Sequence, residues 1–252
     1  MSFLSLVGVE FKKIKRSKIF LILFAATVIL WIPSILNADM NFNMQAEGIS
    51  PENNFFIQGF MGMFPASMVV GTVLLSQTER TNKGILKMLA LPISTVKLCL
   101  AKFVVLLALA ASQILMMVGM YYISAAIITG TQNYNFILSP LFVFKEVGFI
   151  AVSTIPMLAF FWLLAVCIQI PIFSIGIGLA SIVPSVLMIN TKAWFVYPMS
   201  YPFFVITSEY GKLATNLTTS QVELFPWIPV AIVITIVCLC ISCFRFGQAE
   251  RR

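Results

Sequence analysis

Six long apolar runs constrain this chain more than any other feature. Each has about the length that an α-helix needs to cross the hydrocarbon core of a bilayer, which is about 20 residues. The runs are Ile19 to Leu36, Phe55 to Ser76, Phe103 to Ile128, Val147 to Ile170, Phe173 to Ile189 and Pro226 to Phe244. Since lipid offers no hydrogen bonds to the backbone, such spans are helical. We therefore predict an all-α integral membrane protein with six transmembrane helices in one domain, residues 1–252.

The composition leaves no room for an additional soluble domain. Hydrophobic residues make up 60% of the 252 residues and charged residues 10%, against about 45–50% and about 25% in soluble domains. A fused ATPase or a nucleic-acid-binding module would need on the order of 100 residues of ordinary composition. We therefore expect no nucleotide-hydrolysing domain in this chain and no nucleic-acid partner.

The fourth and fifth runs are separated only by a short segment around Pro171. One continuous helix from Val147 to Ile189 would be about twice as long as the bilayer is thick, at a rise of about 1.5 Å per residue. A proline also interrupts a helix, because it removes a backbone donor. The sequence therefore predicts two spans joined by a tight hairpin at Pro171.

The positions of the basic residues predict the orientation of the spans. All but three of the 16 Lys and Arg residues fall in segments on one side of this arrangement. Those segments hold Lys12, Lys13, Lys15, Arg16 and Lys18, then Arg80, Lys83, Lys87, Lys97 and Lys102, then Arg245, Arg251 and Arg252, whereas Lys145, Lys192 and Lys212 fall on the other side. Basic loops favour the cytoplasmic side. We expect a multi-pass protein with both termini in the cytoplasm.

The segment before the first span is amphipathic. At helical periodicity its apolar side chains, including Phe11 and Ile14, share one arc and its lysines the opposite arc. This pattern predicts a helix over residues 3–16 that lies on the inner leaflet. Glu10 falls inside the apolar arc. We favour a surface carboxylate whose head reaches water, and the alternative is that Lys13 or a partner protein meets it.

The loop between the second and third spans predicts a short helix of its own. Gly84 interrupts one helical pattern, Ile85 to Leu91 supplies about two turns of another, and Pro92 ends it. A short apolar helix with basic edges fits either a lipid surface or the groove of a partner. A basic loop that rests on lipid headgroups is the simpler alternative.

The segment from Asn190 to Trp227 is rich in aromatic residues and is broken by Pro198 and Pro202. Its aromatic residues are Trp194, Phe195, Tyr197, Tyr201, Phe203, Phe204 and Tyr210. We expect it to dip into the outer leaflet. Two roles remain open on equal terms: an interfacial aromatic belt, or a re-entrant gate and substrate surface.

The chemistry of an enzyme or an ion-coupled carrier is missing from the spans. The chain has no His, and no acid or base falls deep in an apolar run, where coupled carriers keep such groups. We predict no catalytic residue and no metal site. Cys238, Cys240 and Cys243 end an apolar helix, where metal-binding thiolates would be costly. An intramembrane protease and ion-driven transport are therefore both disfavoured.

Two features predict contacts between the spans. Gln113 is an amide in an apolar run, and an amide in this position most simply bridges two helices. Small residues four apart, such as Ser67 and Gly71 or Gly176 and Ala180, allow helices to approach closely.

With these motifs in view, the chain resembles the ABC-2 type transporter permeases. The resemblance rests on Glu10-Phe11-Lys12-Lys13-Ile14-Lys15-Arg16-Ser17-Lys18, on Glu79-Arg80-x-x-x-Gly84-x-x-Lys87, on Leu89-Ala90-Leu91-Pro92-Ile93-Ser94, and on six spans without a soluble domain. Within this group it looks like the permease subunits of lantibiotic and bacitracin self-immunity exporters of Gram-positive bacteria. It lacks the large outer domain of the sensor-type bacitracin permeases.

The resemblance implies a type V exporter architecture in the bacterial cytoplasmic membrane. It implies an elbow helix at Phe3 to Arg16, with Glu10, Phe11 and Ile14 on it, a coupling helix at Ile85 to Leu91, and re-entrant outer helices at Trp194 to Tyr210. The residues that would couple to an ATPase are Glu79, Arg80, Gly84, Leu86, Lys87, Leu89 and Pro92. The outer gate or substrate residues would be Trp194, Tyr197, Tyr201, Phe203 and Phe204.

The same resemblance implies the partners. A separate ABC ATPase dimer would bind ATP and Mg²⁺, so that this chain itself binds no cofactor, and a second permease chain, identical or homologous, would complete the transporter. The expected substrate is an amphipathic peptide or a lipid-like molecule in the outer leaflet. The alternatives are an ABC-2 permease for another lipid-like or drug substrate, and a nonenzymatic membrane scaffold or pore protein.

Overall fold

The computed structural model describes residues 2–47, 49–61, 64–80, 94–168, 170–189, 191–213 and 224–249. These ranges form helices joined by short connections and contain no β-strand. The helices are α1 (Phe3–Arg16), α2 (Ile19–Leu36), α3 (Pro51–Met61), α4 (Phe64–Arg80), α5 (Thr95–Gln132), α6 (Pro140–Cys167), α7 (Pro171–Ala180), α8 (Val183–Met188), α9 (Ser200–Leu213) and α10 (Leu224–Ala249). Two 3₁₀ helices, Ala38–Glu47 and Trp194–Val196, lie between them.

Six helical segments of the described chain are long and apolar enough to cross a membrane. They are Ile19–Leu36, Pro51–Thr78, Thr95–Gln132, Pro140–Cys167, Pro171–Met188 and Phe225–Phe246. Each of them contains most of one predicted apolar run. The prediction of an all-α membrane fold with six spans is therefore confirmed.

Two of these helices extend well beyond their predicted spans. α5 is 38 residues long and begins at Thr95 instead of Phe103, and α6 begins at Pro140 instead of Val147. The predicted spans stop at charged residues, because hydropathy indicates which residues lie in the bilayer. It does not indicate where the helix begins or ends. As a result, two ionisable residues that were expected outside the spans, Lys102 and Glu146, are buried within helices at 2% and 3% exposure.

The predicted hairpin at Pro171 is confirmed. α6 ends at Cys167, and α7 starts with Pro171 in its first turn. The following span is itself divided, since α7 ends at Ala180 and α8 begins at Val183 with a proline in its first turn. This division brings the end of α7 close to the aromatic segment described below.

The spans differ in how much of their surface lies inside the protein. The buried share of the most apolar stretch is 73% for the span of α3 and α4, 61% for α6 and 50% for α5, against 22% for α2, 17% for the span of α7 and α8, and 11% for α10. The span of α3 and α4, together with α5 and α6, therefore forms the centre of the bundle. α2, α7, α8 and α10 present most of their apolar side chains to its surroundings.

An aromatic cluster fills the core where α2, α3 and α5 meet. Trp31, Phe55 and Tyr121 are all fully buried, with ring centroids 5.8–6.1 Å apart. The Tyr121 hydroxyl donates to the carbonyl of Phe136 at 3.0 Å and accepts from the amide of Leu138 at 3.1 Å. These bonds fix the chain that leaves α5.

Glycines allow the closest helix contacts. The four-residue spacing pointed correctly to Gly71, where a Cβ would lie 3.3 Å from Leu23 Cδ2 on α2, but not to Gly176. A Cβ at Gly59 would lie 2.2 Å from the Trp31 ring, and a Cβ at Gly178 would lie 2.5 Å from Val69 Cγ1. A Cβ at Gly176 would meet nothing within 4 Å. Gly178 is therefore the residue that lets α7 approach α4, because it faces α4 and Gly176 does not.

Candidate transport site

A buried charge cluster joins α1 to the first turns of α5. Glu10 Oε1 lies 2.6 Å from Lys13 Nζ, and Glu10 Oε2 lies 3.0 Å from Lys102 Nζ. The side chains of Glu10 and Lys102 are each only 2% exposed, whereas that of Lys13 is 33% exposed. Burying two charges is tolerated because each meets an opposite charge at hydrogen-bond distance. The cluster therefore ties the amphipathic helix to the third span.

The favoured interpretation of Glu10 as a surface carboxylate is wrong. Glu10 lies on the line of α1 that also buries Leu6 and Ile14, and this line packs against α5. Phe11, in the same apolar arc, is 42% exposed. The apolar arc of α1 therefore serves two environments, and the carboxylate lies on the side that faces the protein. The partner that sequence reasoning missed, Lys102, is distant in sequence, and no local periodicity points to it.

The predicted coupling segment lies largely outside the described residues. Gly84, Leu86, Lys87, Leu89 and Pro92 are not among them. Glu79 and Arg80 form the end of α4, and their side chains are not described. α5 begins directly after this segment, and the Lys102 that pairs with Glu10 lies two turns into it.

Three of the predicted outer gate residues meet in one aromatic cluster. Trp194 stacks on Phe204 with centroids 3.5 Å apart and rings 9° from parallel, and Tyr201 lies 6.1 Å from Trp194. Trp227, at the start of α10, joins them at 5.6 Å from Trp194 and 5.8 Å from Tyr201. Trp227 ends the predicted aromatic segment and also falls within the predicted sixth span, Pro226 to Phe244, and no sequence pattern points to this contact.

The other two predicted gate residues lie apart from that cluster. The Tyr197 hydroxyl donates to the carbonyl of Ser181, where α7 ends, and burial raises the pKa of this phenol. Phe203 lines the larger cavity described below. Since Tyr201 is fully buried and Phe203 and Phe204 are 8% exposed, these three rings lie inside the protein and form no belt towards lipid. Their role as a gate stays a prediction.

α9 carries these rings into the body of the protein. It packs against α6, α3 and α8, and the run from Tyr201 to Ile206 is buried. A 14-residue helix is about 21 Å long, too short to cross the bilayer. α9 alone is therefore too short to be a span, and a re-entrant arrangement of this segment stays a prediction.

A large cavity, called the larger cavity below, lies between five of the described helices. Its volume is about 940 Å³, which is within the range of small-molecule sites. The lining residues come from α2, α4, α7, α8 and α9, with Ile182 between α7 and α8: Ile22, Leu23, Ala26, Ile29, Leu30, Pro65, Ala66, Ser67, Val70, Leu179, Ile182, Val183, Val186, Leu187 and Phe203. All of them except Ser67 are apolar. The cavity suits the apolar part of a ligand.

The one polar residue of this lining is bonded to the amide that was predicted to bridge two helices. Gln113 Nε2 on α5 donates to Ser67 Oγ on α4 at 2.5 Å. Gln113 is fully buried, and its bridging role between helices is as expected. A second cavity of about 370 Å³ lies between α6 and α10, with Tyr201 and Trp227 in its lining.

Polar contacts close the end of the bundle where α3 begins and α5 ends. The Tyr134 hydroxyl donates to Glu52 Oε2 at 2.5 Å, and Asn54 Nδ2 donates to Asn41 Oδ1 at 3.2 Å. The hydrogen bond to the Glu52 carboxylate, together with partial burial, raises the pKa of Tyr134 to about 12. This phenol therefore remains a donor over the whole physiological range.

The described residues offer no arrangement for metal chemistry. No three or more His, Cys, Asp or Glu side chains among them are grouped to hold a metal ion. Cys238 is buried, Cys240 exposed and Cys243 half-buried, and all three are free thiols. Cys238 and Cys240 point to nearly opposite sides of the helix, because residues two apart differ by about 200° in direction.

A comparison with protein families finds one match. The model described as "ABC-2 family transporter protein" matches residues 6–185, from α1 into α8. Comparisons with curated proteins and with solved structures find no match. The matched range includes the buried charge cluster and most of the lining of the larger cavity.

Proposed function

Because the chain belongs to the ABC-2 transporter family and is therefore a membrane permease subunit of an ABC transporter, we propose that it exports an amphipathic antimicrobial peptide of the lantibiotic type. The exporter would act in the cytoplasmic membrane of a bacterium, with both termini of this chain in the cytoplasm. It would take its substrate from the outer leaflet and so protect the cell that makes or meets the peptide.

The cavity of about 940 Å³ is the observation that carries this proposal. Its lining is apolar except for Ser67, so it favours apolar side chains by removing them from water or headgroups. Phe203 of α9 is part of its lining, so the cavity also reaches the proposed outer gate. A peptide with an apolar face fits this environment better than a hydrophilic solute.

The energy would come from a separate ATPase dimer, which would hold ATP and Mg²⁺. Two permease chains, identical or homologous, would assemble with it. The large exposed apolar surfaces of α2, α7, α8 and α10 support pairing within the membrane. The cavity is lined by α2, α7 and α8, and a second chain at these helices would close its open side.

Transmission from the ATPase would run through the segment before α5. The proposed coupling helix, Ile85 to Leu91, would dock into the ATPase through Leu86 and Leu89. Because α5 follows this segment and is tied to α1 by the pair of Glu10 and Lys102, a push on the segment would move both helices. Movement of α5 would in turn reach the cavity through Gln113 and Ser67.

The test is co-purification of this chain with its ATPase from a membrane extract. We expect Leu86→Asp and Leu89→Asp to abolish the association, because each places a charge on an apolar contact surface. Val96→Asp is the matched control, since Val96 is an exposed apolar residue on the first turn of α5. Retained association of the Leu86 and Leu89 variants would contradict the assignment of this segment.

A transport assay addresses the substrate. Vesicles that contain the complete complex should release a dye-labelled lantibiotic from the outer-leaflet side in an ATP-dependent manner. Movement of a labelled phospholipid with no effect on the peptide would favour the alternative, a permease for lipid-like molecules.

A further inference from the structure

The helix α1 presents three different faces to its surroundings. One face, with Leu6, Glu10 and Ile14, is buried, and α1 packs mainly against α5. A second face is apolar but exposed, since Leu4 is 80% and Phe11 42% exposed. The protein therefore covers only part of the apolar arc of α1. The uncovered part favours a second apolar environment, because exposure of this surface to water is unfavourable.

The third face of α1 is basic. Lys12, Lys15 and Arg16 are exposed, and so is Lys18 just after the helix. Arg16 follows Lys12 by four residues, and Lys15 follows Phe11 by four, so each pair lies on one side of the helix. These four cations form a basic face, which borders the exposed apolar face where Lys15 lies next to Phe11.

The described part of the chain does not neutralise the basic face. Lys13 meets Glu10 Oε1 at 2.6 Å, and Glu10 Oε2 meets Lys102 at 3.0 Å, so this carboxylate is already occupied by two other cations. No ion pair among the described residues joins the four cations of the basic face to a carboxylate. Four positive charges are therefore available to an anionic partner.

The chain itself places the basic face at the level of lipid headgroups. α1 ends at Arg16, and α2, a span of 18 residues without a charge, begins at Ile19. Only two residues separate the helices, so the end of α1 lies where α2 enters the hydrocarbon. In this position the exposed apolar face reaches the acyl chains while the basic face remains among the headgroups.

We propose that the basic face of α1 binds anionic phospholipid headgroups, while Leu4 and Phe11 lie among the neighbouring acyl chains. Clusters of basic residues directly beside a span attract anionic lipids. A zwitterionic headgroup offers the same phosphate but also a cationic amine, which the basic face repels. The partner is therefore a lipid with a net negative charge, such as phosphatidylglycerol. This inference concerns the anchoring of α1 and is independent of the transported substrate.

The test places a tryptophan reporter on the exposed apolar face. Phe11→Trp is compared with Phe173→Trp, whose position is 61% exposed and lies in a stretch, residues 147–191, without any charged residue. Each full-length variant is placed in nanodiscs of phosphatidylcholine with a minor fraction of phosphatidylglycerol. Bromine, which quenches tryptophan on contact, is carried either by the acyl chains of one lipid or by those of the other. The surface charge is thus the same in both preparations, and the signal of the native protein is subtracted.

The ratio of the two quenching signals reports which lipid lies beside the reporter. At position 11 we expect phosphatidylglycerol to be enriched over its mole fraction by about fivefold, which corresponds to about 1 kcal/mol, or one basic residue near the headgroup. At position 173 the enrichment should be about one. A salt concentration of about 1 M shortens the Debye length to about 3 Å and should remove most of the enrichment at position 11.

Charge variants separate attraction from packing. Lys12→Gln, Lys15→Gln and Arg16→Gln together should reduce the enrichment at position 11 to about one, whereas Lys12→Arg and Lys15→Arg together should retain it. Lys145→Gln is the matched control, because Lys145 is 67% exposed but belongs to another helix, α6. The enrichment at position 11 should persist in this variant.

Three results would overturn the proposal. Equal enrichment at positions 11 and 173 would leave the basic face to a soluble partner instead of lipid. An enrichment that survives the triple substitution in a folded variant would show that these charges are not its cause. An enrichment that is unchanged at high salt would show the same without any substitution on the basic face, so the test remains decisive even if the triple variant does not fold.

Discussion

The buried pair of Glu10 and Lys102 makes the strongest quantitative prediction about this fold. Lys102→Met keeps the long apolar stem but removes the charge that lies 3.0 Å from Glu10 Oε2. Removing one partner of a buried pair costs about 3–5 kcal/mol. The lower end applies here, because Lys13 still lies 2.6 Å from the other oxygen of Glu10. We therefore expect a loss of about 3 kcal/mol of unfolding free energy.

The exposure of three lysines predicts how much stability each loses when it is replaced by Met. Lys13→Met removes a partner that is one-third exposed and should cost about 1 kcal/mol or less. Lys97→Met alters an exposed lysine of the same helix as Lys102, and we expect no measurable effect. For soluble chains of similar length 1 kcal/mol shifts the Tm by roughly 2–4 °C, so Lys102→Met should lower it by about 6–12 °C.

The assay is thermal unfolding of the purified chain in one detergent, followed by near-ultraviolet circular dichroism. Limited trypsin digestion provides a second readout, since α1 can unfold after its release from α5 and its exposed lysines, Lys12 and Lys15, then become cleavable. The predicted order of destabilisation is Lys102, then Lys13, then Lys97. If the Lys102→Met and Lys97→Met variants have the same Tm, the burial of the Glu10–Lys102 pair and the link between α1 and α5 are refuted.

Two further predictions concern other contacts. Gly59→Ala should destabilise the chain by about 1–3 kcal/mol, because the added Cβ would lie 2.2 Å from the Trp31 ring. Gly119→Ala is the control and should be neutral or stabilising, since a Cβ there meets nothing within 4 Å. Equal melting temperatures of the two variants would contradict the close contact between Gly59 and Trp31. Tyr134→Phe tests the bond to Glu52. The pKa of Tyr134 is raised to about 12, so this bond contributes stability that is fully present below about pH 10, the pKa of unfolded tyrosine, and is lost as the pH rises through about 12. Tyr134→Phe should therefore lower the Tm at neutral pH but not above about pH 12, and a difference that persists at high pH would show that the bond is not its cause.

The number and kind of spans could be predicted from the sequence, because apolar length alone decides which segments enter a bilayer. The hairpin at Pro171 followed from the same argument, since one helix across both runs would be too long. The starts of α5 and α6 did not follow, because a helix can begin before its apolar run and include charged residues such as Lys102. Hydropathy and helix termination are separate properties.

The candidate site was only partly predictable. Periodicity placed Glu10 on the apolar arc of α1 but could not identify a lysine 92 residues away as its partner. The aromatic content of residues 190–227 was visible, yet the stacking of Trp194 on Phe204 depends on how α9 folds back into the bundle. The cavity itself has no sequence pattern, because it is the space left between five helices. No sequence pattern shows that Ser67 lines this space.

We expect this permease to have no driving force of its own and to depend on an ATPase. The decisive experiment follows peptide export from three kinds of vesicle, prepared with the permease alone, with its ATPase, and with an ATPase that binds but does not hydrolyse ATP. We expect sustained export only from the second preparation and only with ATP. Export by the purified permease alone, without nucleotide, would contradict it.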